Sequence, residues 1–209
     1  METELITAAD LEHLEHLLHR HGGRIEYLVG SVHHVNGVPI DLDQPTFHVA
    51  LATCQGGTEL NSEGDENENK DYIQQTLFLT SYLDAQYDLL RRFRPEVVGH
   101  LDLCRLYTPT LRFCDFLSAL ACLERNIRFA VSYGAVFEVN AAAFRKGWDS
   151  AYPGDDVLEV ILPPSPPSFT ITDPFLTRSQ PPFIADSAKR WQVRAVGRQP
   201  RPSCRRAKL

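Results

Sequence analysis

The sequence predicts an α/β fold built on a parallel sheet. Two predicted strands with apolar residues, 25–29 and 96–98, are each followed within a few positions by a glycine and a histidine. Between them, residues 72–93 carry apolar side chains at helical spacing and end shortly before Pro95. A strand, a long helix and a second strand of the same pattern form a βαβ unit, which is the building block of parallel sheets.

Composition narrows the class of protein. The chain has 209 residues, of which 43% are hydrophobic, so it is long enough to bury a sizeable core. The net charge of −6 argues against nucleic-acid binding by the protein as a whole. The five cysteines show no Cys-x-x-Cys spacing, and no apolar run is long enough to cross a bilayer or resembles a signal peptide. We therefore expect a cytoplasmic protein with reduced thiols and no membrane partner.

One helix is predicted before the first apolar strand. Thr7 and Asp10 have the spacing of a capping box, and leucines at positions 11, 14, 17 and 18 repeat at helical intervals up to Gly22. Four histidines interleave with these leucines among charged residues, which favours a solvated helix face over a metal site. Residues 47–52 are apolar enough for either another strand or a helix. Residues 55–70 are rich in Gly, Glu, Asp and Asn and predict a mobile acidic insertion.

The rest of the chain continues the alternation of helices and strands. We expect a helix over residues 111–125, a buried strand over residues 127–131, a second strand over residues 136–139 and a short helix over residues 156–161. The composition then changes, because residues 163–182 are rich in proline and the segment after Asp186 is basic without a single acid. The predicted organisation is a domain over residues 1–161 and an irregular tail over residues 162–209.

Histidines stand just beyond two of the predicted strands. His33 and His34 follow the first apolar run, and His100 follows the second. The carboxyl ends of parallel strands are where open α/β sheets and α/β barrels keep their functional residues. The alternative for the first pair is a strand that runs into a hairpin at Asn36-Gly37, with both histidines merely flanking the turn. That stretch alone supports the two interpretations about equally.

Several short motifs occur in a fixed order over most of residues 1–161. They are Glu2-Thr3-Glu4, Val-Gly-Ser-Val-His-His-Val-Asn-Gly at 29–37, residues 78–86, Pro-Glu-Val-Val-Gly-His-Leu-Asp-Leu at 95–103, Ser-Tyr-Gly at 132–134, Ala-Phe-Arg-Lys-Gly-Trp at 143–148 and Ala-Tyr-Pro-Gly at 151–154. In this combination they resemble the histidinol-phosphate phosphatases of the polymerase and histidinol phosphatase (PHP) superfamily. A single Gly-His pair would carry no such information.

The resemblance implies a fold and a reaction. Members of the family are distorted (β/α)7 barrels that hold two or three divalent metals at the strand carboxyl ends and hydrolyse L-histidinol phosphate to L-histidinol and phosphate. Such metals lower the pKa of a bridging water and neutralise phosphoryl oxygens, which matters because phosphate monoesters hydrolyse very slowly unaided. We therefore expect a metal-dependent phosphomonoester hydrolase of L-histidine biosynthesis, with a small-molecule substrate and zinc, manganese or iron as its metal.

The resemblance also assigns roles to individual residues. The metal ligands implied are Glu2 from the Gly-x-Glu motif, His33 from the Ser-x-His motif and His100 from the Gly-His motif. Asp102 is expected to orient an imidazole and Arg105 to bind phosphate, so both are candidate catalytic residues. The candidate substrate-binding residues are His34, Ser132, Glu138 and Arg145.

Two features of the family are missing from this sequence. The family begins with a strand carrying His-x-His, and it ends with a Ser-Asp-Asp-Ser-His-Gly segment that supplies an aspartate and a histidine to the metals. A back-translation of residues 191–209, read one nucleotide later, encodes Gly-Arg-Phe-Ala-Leu-Ser-Asp-Asp-Ser-His-Gly, so we interpret the basic tail as this motif in the wrong frame. We accordingly expect an incomplete barrel, incompletely bound metal and little or no phosphatase activity from the chain as written.

Two alternatives remain open. The first is an enzyme of the same kind that acts on another small phosphate ester. The second is a non-catalytic interaction protein whose basic tail, residues 189–209, holds nucleic acid or an acidic partner. If the tail is a frame-shifted catalytic segment, it is not a nucleic-acid arm, and this favours the enzyme.

Overall fold

The structure, a computed structural model, is built on a five-stranded parallel sheet. It describes residues 1–4, 6–55, 66–145, 148, 150–161 and 169–172. The strands are β1 Glu2–Glu4, β2 Val29–Ser31, β3 His34–Val35, β4 Val38–Pro39, β5 Val97–Val98, β6 Val136–Asn140 and β7 Phe169–Thr172. The sheet order is β1-β2-β5-β6-β7 with every pairing parallel, and β3 and β4 form an antiparallel hairpin. The predicted α/β class with a parallel sheet is confirmed.

Helices fill the connections between the parallel strands. They are α1 Ala8–His21, α2 Gln44–Ala52, α3 Glu66–Phe93, α4 Leu117–Ser132, α5 Ala142–Arg145 and α6 Asp155–Ile161. The capping box predicted for α1 is present, because the backbone N–H of Thr7 donates to the carboxylate of Asp10 over 2.6 Å. Helix α3 packs against α4, and the buried amide of Asn126 joins them by donating to the Leu83 carbonyl over 2.7 Å.

Each parallel strand lies beside the next parallel strand along the chain. In this arrangement Glu2 pairs with Val29, Val29 with Val97, and Val97 with Val136. Because all five strands run in one direction, their carboxyl ends meet at a single edge of the sheet. The residues that directly follow β2, β5 and β6 therefore approach one another even though they are far apart in sequence.

The β3–β4 hairpin has the turn that the sequence predicts. Asn36 and Gly37 both have positive φ, 50° and 78°, as a two-residue hairpin loop of the type I′ kind requires. His34 pairs with Pro39 across the hairpin. The two interpretations offered for the His33–His34 stretch are therefore compatible, since one histidine precedes the hairpin and the other lies within it.

The strand predicted over residues 127–131 is wrong, because these residues belong to helix α4. These residues form the carboxyl-terminal half of the helix, and the expected helix over residues 111–125 begins later, at Leu117. The buried residues of α4 are Ala119, Leu123, Asn126, Ile127 and Ala130. These residues fall on one helix face, because each lies three or four positions from another of the set. The run of β-branched and aromatic residues, in contrast, resembles a strand when it is read in isolation.

Other boundaries also differ from the sequence-based expectation. The first core strand begins at Val29 rather than ending there, so Gly30 and Ser31 lie inside β2. Residues 47–52 belong to a helix, α2. Residues 2–4 form an edge strand that the apolar pattern did not indicate. Short polar strands such as β1 have no hydrophobic run of their own and are recognised only by their pairing.

Gly30 allows the end of α3 to pack directly on β2. A Cβ atom at this position would lie 2.6 Å from Cγ of Pro95 and 2.9 Å from Cδ2 of Leu89. Both distances are shorter than van der Waals contact, so any side chain here would push the helix end away from the sheet. The absence of a side chain at Gly30 therefore allows the short packing distance between β2 and the end of α3.

Two segments predicted to be irregular are only partly described. Residues 66–70 of the expected acidic insertion form the start of α3, and residues 56–65 lie outside the described residues. Within the expected tail, Phe169–Thr172 form β7, which pairs with β6 and in which every residue is aromatic or β-branched. The remainder of residues 162–209 lies outside the described part of the chain. Among the helices described, none is long and apolar enough to span a membrane.

Candidate metal centre

The sheet brings three predicted metal ligands together. Glu2 opens β1, His33 lies two residues after β2, and His100 lies two residues after β5. One ligand atom from each of the three side chains lies within 4.8 Å of the others. Within the described residues this is the one group of three or more histidine, cysteine, aspartate or glutamate side chains placed closely enough to share an ion.

Glu2 is held as an anion. Its Oε1 accepts a hydrogen bond from Ser31 Oγ over 2.9 Å and lies 3.4 Å from Nε2 of His100. The contact with His100, helped by that of Ser31, outweighs partial burial and lowers the pKa of Glu2 to about 2. The carboxylate is therefore charged at any pH at which an enzyme would work.

His100 lies between two carboxylates. Its Nε2 faces Glu2, and its Nδ1 lies 3.2 Å from Oε2 of Glu138, an ion-pair distance without hydrogen-bond alignment. Burial by itself lowers the pKa of His100, but Glu138 and Glu2 outweigh that effect and raise it to about 9. A pKa of about 9 favours the protonated, positively charged form of the His100 ring at neutral pH.

Gly99 permits the close packing around His100. A Cβ atom at Gly99 would lie 2.5 Å from Ser31 Oγ and 3.0 Å from Cγ1 of Val29. The glycine of the Gly-His motif is thus needed so that the Ser31 hydroxyl can remain beside Glu2. This gives a physical reason for the glycine that precedes the histidine.

His33 and His34 share a carboxylate that the sequence analysis did not select. Glu4 Oε1 lies 2.9 Å from Nδ1 of His34 and 3.6 Å from Nδ1 of His33. The rings of His33 and His100 meet edge to face with their centroids 4.9 Å apart. Burial, together with neighbouring His100, lowers the pKa of His33, which favours its neutral form. His33 thus joins the metal group, while His34 is turned towards Glu4.

The donor set fits a divalent transition metal. Imidazole nitrogens and a carboxylate oxygen are the ligands that zinc, manganese and iron accept in proteins. The three side chains converge from different strands, and each histidine has a carboxylate near its Nδ1, as metal-binding histidines commonly do. Glu2 and Glu138 lie on the two sides of the His100 ring, and their negative charge is of the sign that attracts a cation.

Asp102 and Arg105 form a buried ion pair with each other. Arg105 Nη2 donates to Asp102 Oδ2 over 2.5 Å, and Arg105 Nη1 donates to Asp156 Oδ1 over 2.8 Å. Asp102 is 0% exposed and Arg105 is 2% exposed. Asp102 Oδ2 also accepts the backbone N–H of Gly154 over 2.8 Å. The guanidinium expected to bind phosphate is therefore enclosed by protein carboxylates, and the pair joins the loop after β5 to the start of α6.

The remaining predicted residues lie in three different places. Glu138 is on β6 and faces His100, as described above. Arg145 is exposed at the end of α5. Helix α5 follows β6 and so starts from the edge of the sheet where the carboxyl ends of the strands meet, called the functional edge below. Ser132 ends α4 just before β6, and its hydroxyl donates to the Phe129 carbonyl over 2.7 Å. The strand that follows Ser132 runs from that position towards the functional edge, so the structure does not bring Ser132 to the metal ligands.

Three residues near the candidate site were missed by sequence reasoning. Ser31 bonds to Glu2, Glu4 contacts both histidines after β2, and Asn140 Nδ2 donates to Glu138 Oε1 over 3.2 Å. The two-residue period of a β-strand could have indicated two of them, because residues i and i+2 lie on the same face. Glu4 shares a face with Glu2 on β1, and Asn140 shares a face with Glu138 on β6. Strands as short and polar as β1 lack the run of alternating apolar residues by which that period is usually recognised.

Two curated proteins similar in sequence to this chain are histidinol-phosphatases by name. No family model matches the chain. It is 38% identical over 164 residues to a protein named probable histidinol-phosphatase in Schizosaccharomyces pombe, an alignment that covers 77% of this chain and 47% of the relative. It is also 29% identical over 215 residues to the histidinol-phosphatase of Saccharomyces cerevisiae, covering 92% of this chain and 59% of the relative. The chain resembles curated histidinol-phosphatases. It spans about half the length of these relatives.

A solved structure supports the fold. HisK from Listeria monocytogenes, described as a candidate histidinol phosphatase, superposes with a TM-score of 0.55 over 82% of this chain and 60% of that protein. The sequence identity in this comparison is 15%, so the likeness concerns the backbone arrangement alone. Mixed α/β architecture with a parallel sheet is thus shared with a protein of that description.

Proposed function

We propose that this chain carries a metal-dependent phosphomonoesterase site that acts on L-histidinol phosphate. The observation that carries the proposal is the convergence of Glu2, His33 and His100 within 4.8 Å at one edge of the sheet. The likeness in sequence to the two yeast proteins supports the choice of substrate. The reaction is the hydrolysis of the ester to L-histidinol and inorganic phosphate, a step of L-histidine biosynthesis.

The proposed architecture is a segment of a distorted (β/α)7 barrel. In such a barrel each strand pairs with the next one along the chain, and helices occupy the connections. The order β1-β2-β5-β6-β7, with all pairs parallel, follows this rule over five strands. The backbone likeness to HisK is consistent with it.

The proposed metal would be held by Glu2, His33 and His100. The candidate metals are zinc, manganese and iron. When bound, such a metal supplies an acidified water and positive charge for the phosphoryl oxygens. Glu2 contributes the negative charge, and Ser31 fixes one of its oxygens. His33 contributes a neutral nitrogen because its surroundings disfavour the protonated ring.

Arg145 is the arginine proposed to bind the phosphate group. It is exposed at the end of α5, directly beyond the strand that carries Glu138. Guanidinium groups pair with phosphate oxygens through two parallel hydrogen bonds. Arg105 is less suited to this role because Asp102 and Asp156 already engage its two terminal nitrogens.

The test is metal-dependent phosphate release by the full chain. L-histidinol phosphate is incubated with the protein and zinc, manganese or ferrous iron, and inorganic phosphate is measured alongside His33→Ala and His100→Ala. We expect a slow release that requires added metal and disappears in both variants, while His16→Ala on the exposed face of α1 behaves like the parent. Release that survives a chelator, or that is unchanged in His100→Ala, would contradict the proposal.

Substrate choice is tested in the same assay. Glycerol phosphate and other simple monoesters are compared with L-histidinol phosphate at equal concentration. A preference for L-histidinol phosphate supports the proposed substrate, and a preference for another ester assigns the same metal site to a different small molecule.

A further inference from the structure

Glu138 contacts His100 twice through a single oxygen. Its Oε2 accepts the backbone N–H of His100 over 3.0 Å and lies 3.2 Å from the ring atom Nδ1 of the same residue. The Glu138 residue is 8% exposed, so little of it reaches solvent. A carboxylate in this position acts on both the main chain and the ring of its neighbour.

The main chain of His100 needs such support. Its φ is 50°, a left-handed conformation that is uncommon for residues other than glycine and carries an energetic cost. The hydrogen bond from its N–H to Glu138 and the one that its carbonyl accepts from the Tyr82 hydroxyl both act on this residue. The conformation turns the chain back after β5, and the ring then reaches Glu2.

Glu138 is itself held in place. Asn140 Nδ2 donates to Glu138 Oε1 over 3.2 Å, and Asn140 Oδ1 accepts the N–H of Ala142 over 2.8 Å. The backbone of Asn140 also exchanges two hydrogen bonds with Tyr152, at 2.8 and 3.0 Å. Both carboxylate oxygens of Glu138 therefore have protein partners, which is unlike a group that awaits a substrate's amine or imidazole.

We infer that Glu138 is a positioning residue for the metal ligand His100, an inference that rests on the proposed function. By occupying the Nδ1 side of the ring, Glu138 leaves Nε2 directed at Glu2, 3.4 Å away, where the metal is proposed to bind. Asn140 does not contact His100 in this scheme but supports it indirectly, by donating a hydrogen bond to the second oxygen of Glu138. On this inference Glu138 orients His100, whereas the sequence predicted that it binds substrate.

The experiment measures metal affinity in the full chain. Zn²⁺ or Co²⁺ is titrated against a chromophoric chelator for the parent, Glu138→Ala and Glu138→Gln. We expect Glu138→Ala to weaken binding by about 10–100-fold, the usual effect of removing a carboxylate behind a metal-bound histidine. Glu138→Gln retains an oxygen of similar reach and the size of the side chain, so it should fold and lose less affinity.

Glu96→Ala is the matched control. Glu96 also accepts a backbone N–H, that of Leu28, over 2.8 Å, but it precedes β5, whereas His100 follows that strand, and this hydrogen bond involves no proposed metal ligand. Its loss should lower the free energy of unfolding without changing metal affinity. Nitrogen-15 spectra of the histidine rings give a second readout, because the inference expects a proton on Nδ1 of His100 in the metal-bound parent.

The outcomes separate the inference from the proposed function. If Glu138→Ala and the parent bind metal equally, and only KM for the phosphate ester or only the free energy of unfolding changes, the inference is wrong while the proposed metal site stands. If the parent itself binds neither Zn²⁺ nor Co²⁺, the proposed function fails and the inference fails with it. Affinity lost in Glu138→Ala, partly restored in Glu138→Gln and unchanged in Glu96→Ala supports the inference.

Discussion

Small residues and charged residues act together at the candidate site. Gly99 has no side chain and thereby leaves room for the Ser31 hydroxyl, which bonds to Glu2. His100 follows with a left-handed φ and contacts two carboxylates. The Gly-His motif is therefore one geometric unit in which the first residue makes space and the second supplies the ligand.

Gly99→Ala tests this unit. The added Cβ would lie 2.5 Å from Ser31 Oγ, so we expect a loss of about 1–3 kcal/mol in the free energy of unfolding, the usual cost of overpacking. Metal affinity should fall as well, since Ser31 must move away from Glu2. Urea denaturation and a metal titration measure the two effects. In Gly22→Ala the added Cβ would meet no atom within 4 Å, so stability should change by no more than about 0.5 kcal/mol.

The buried pair of Asp102 and Arg105 makes a second prediction at the residue scale. Replacing Arg105 with Ala leaves Asp102 without its cationic partner in a fully buried position, and breaking such a pair costs about 3–5 kcal/mol. Urea denaturation measures this loss. Arg92→Ala, which removes a surface contact with Glu15 at 2.6 Å, should have little effect because solvent screens that pair.

A small loss for Arg105→Ala, combined with a large rise in KM for L-histidinol phosphate, would restore the phosphate-binding role that the sequence predicted. The structure favours the first outcome because the guanidinium also bonds to the carboxylate of Asp156 and the carbonyl of Leu111.

At the scale of elements, α4 shows how a helix can be mistaken for a strand. Residues 127–131, Ile-Arg-Phe-Ala-Val, are rich in β-branched and aromatic side chains, which predicts a strand locally. In the structure Ala130 is fully buried and Val131 is 46% exposed. Packing against α3 decides the outcome, because a helix buries every third or fourth residue and the buried Asn126 bonds to the Leu83 carbonyl on that helix.

Two neighbouring lysine substitutions test the helix assignment. Ala130→Lys places a charge in the core, so we expect a severe loss of stability or failure to fold. Val131→Lys places the same charge on the exposed face and should change the free energy of unfolding by no more than about 0.5 kcal/mol. Thermal or urea denaturation distinguishes them. Equal and severe effects at both positions would instead favour a fully buried strand.

At the scale of the whole molecule, the metal site links strands that are distant in sequence. Glu2, His33 and His100 come from or directly follow β1, β2 and β5, which are neighbours in the sheet. An ion bound by all three would favour the folded state over the unfolded chain, in which these residues are far apart. Metal binding and stability should therefore be coupled.

Thermal denaturation with and without metal measures this coupling. At a metal concentration 100 times Kd, we expect about 2.7 kcal/mol of added stability, reversed by a chelator. His100→Ala should lose the metal-induced rise in Tm, and His16→Ala on the exposed face of α1 should keep it. A rise of equal size in His100→Ala would place the binding site elsewhere.

The sequence alone was sufficient for the α/β class, for the capping box of α1, for the turn at Asn36-Gly37 and for the grouping of Glu2, His33 and His100. The first three follow from local chemistry and from the periodicity of apolar residues, whereas the grouping of the three ligands was implied by the family resemblance of their motifs. Motif order along the chain also pointed to histidinol-phosphatases, to which the two yeast relatives belong by name.

Only the tertiary structure decided which polar residues serve which neighbour. Arg105 faces Asp102 and Asp156, Glu138 faces His100, and Ser132 lies apart from the metal ligands. It also showed residues 127–131 as helix and residues 2–4 as an edge strand. The physical reason is separation along the chain, because Asp156 is 51 positions from Arg105, Glu138 is 38 positions from His100, and Leu83 on α3 is 43 positions from Asn126 on α4. Local sequence patterns carry no information about partners so far away.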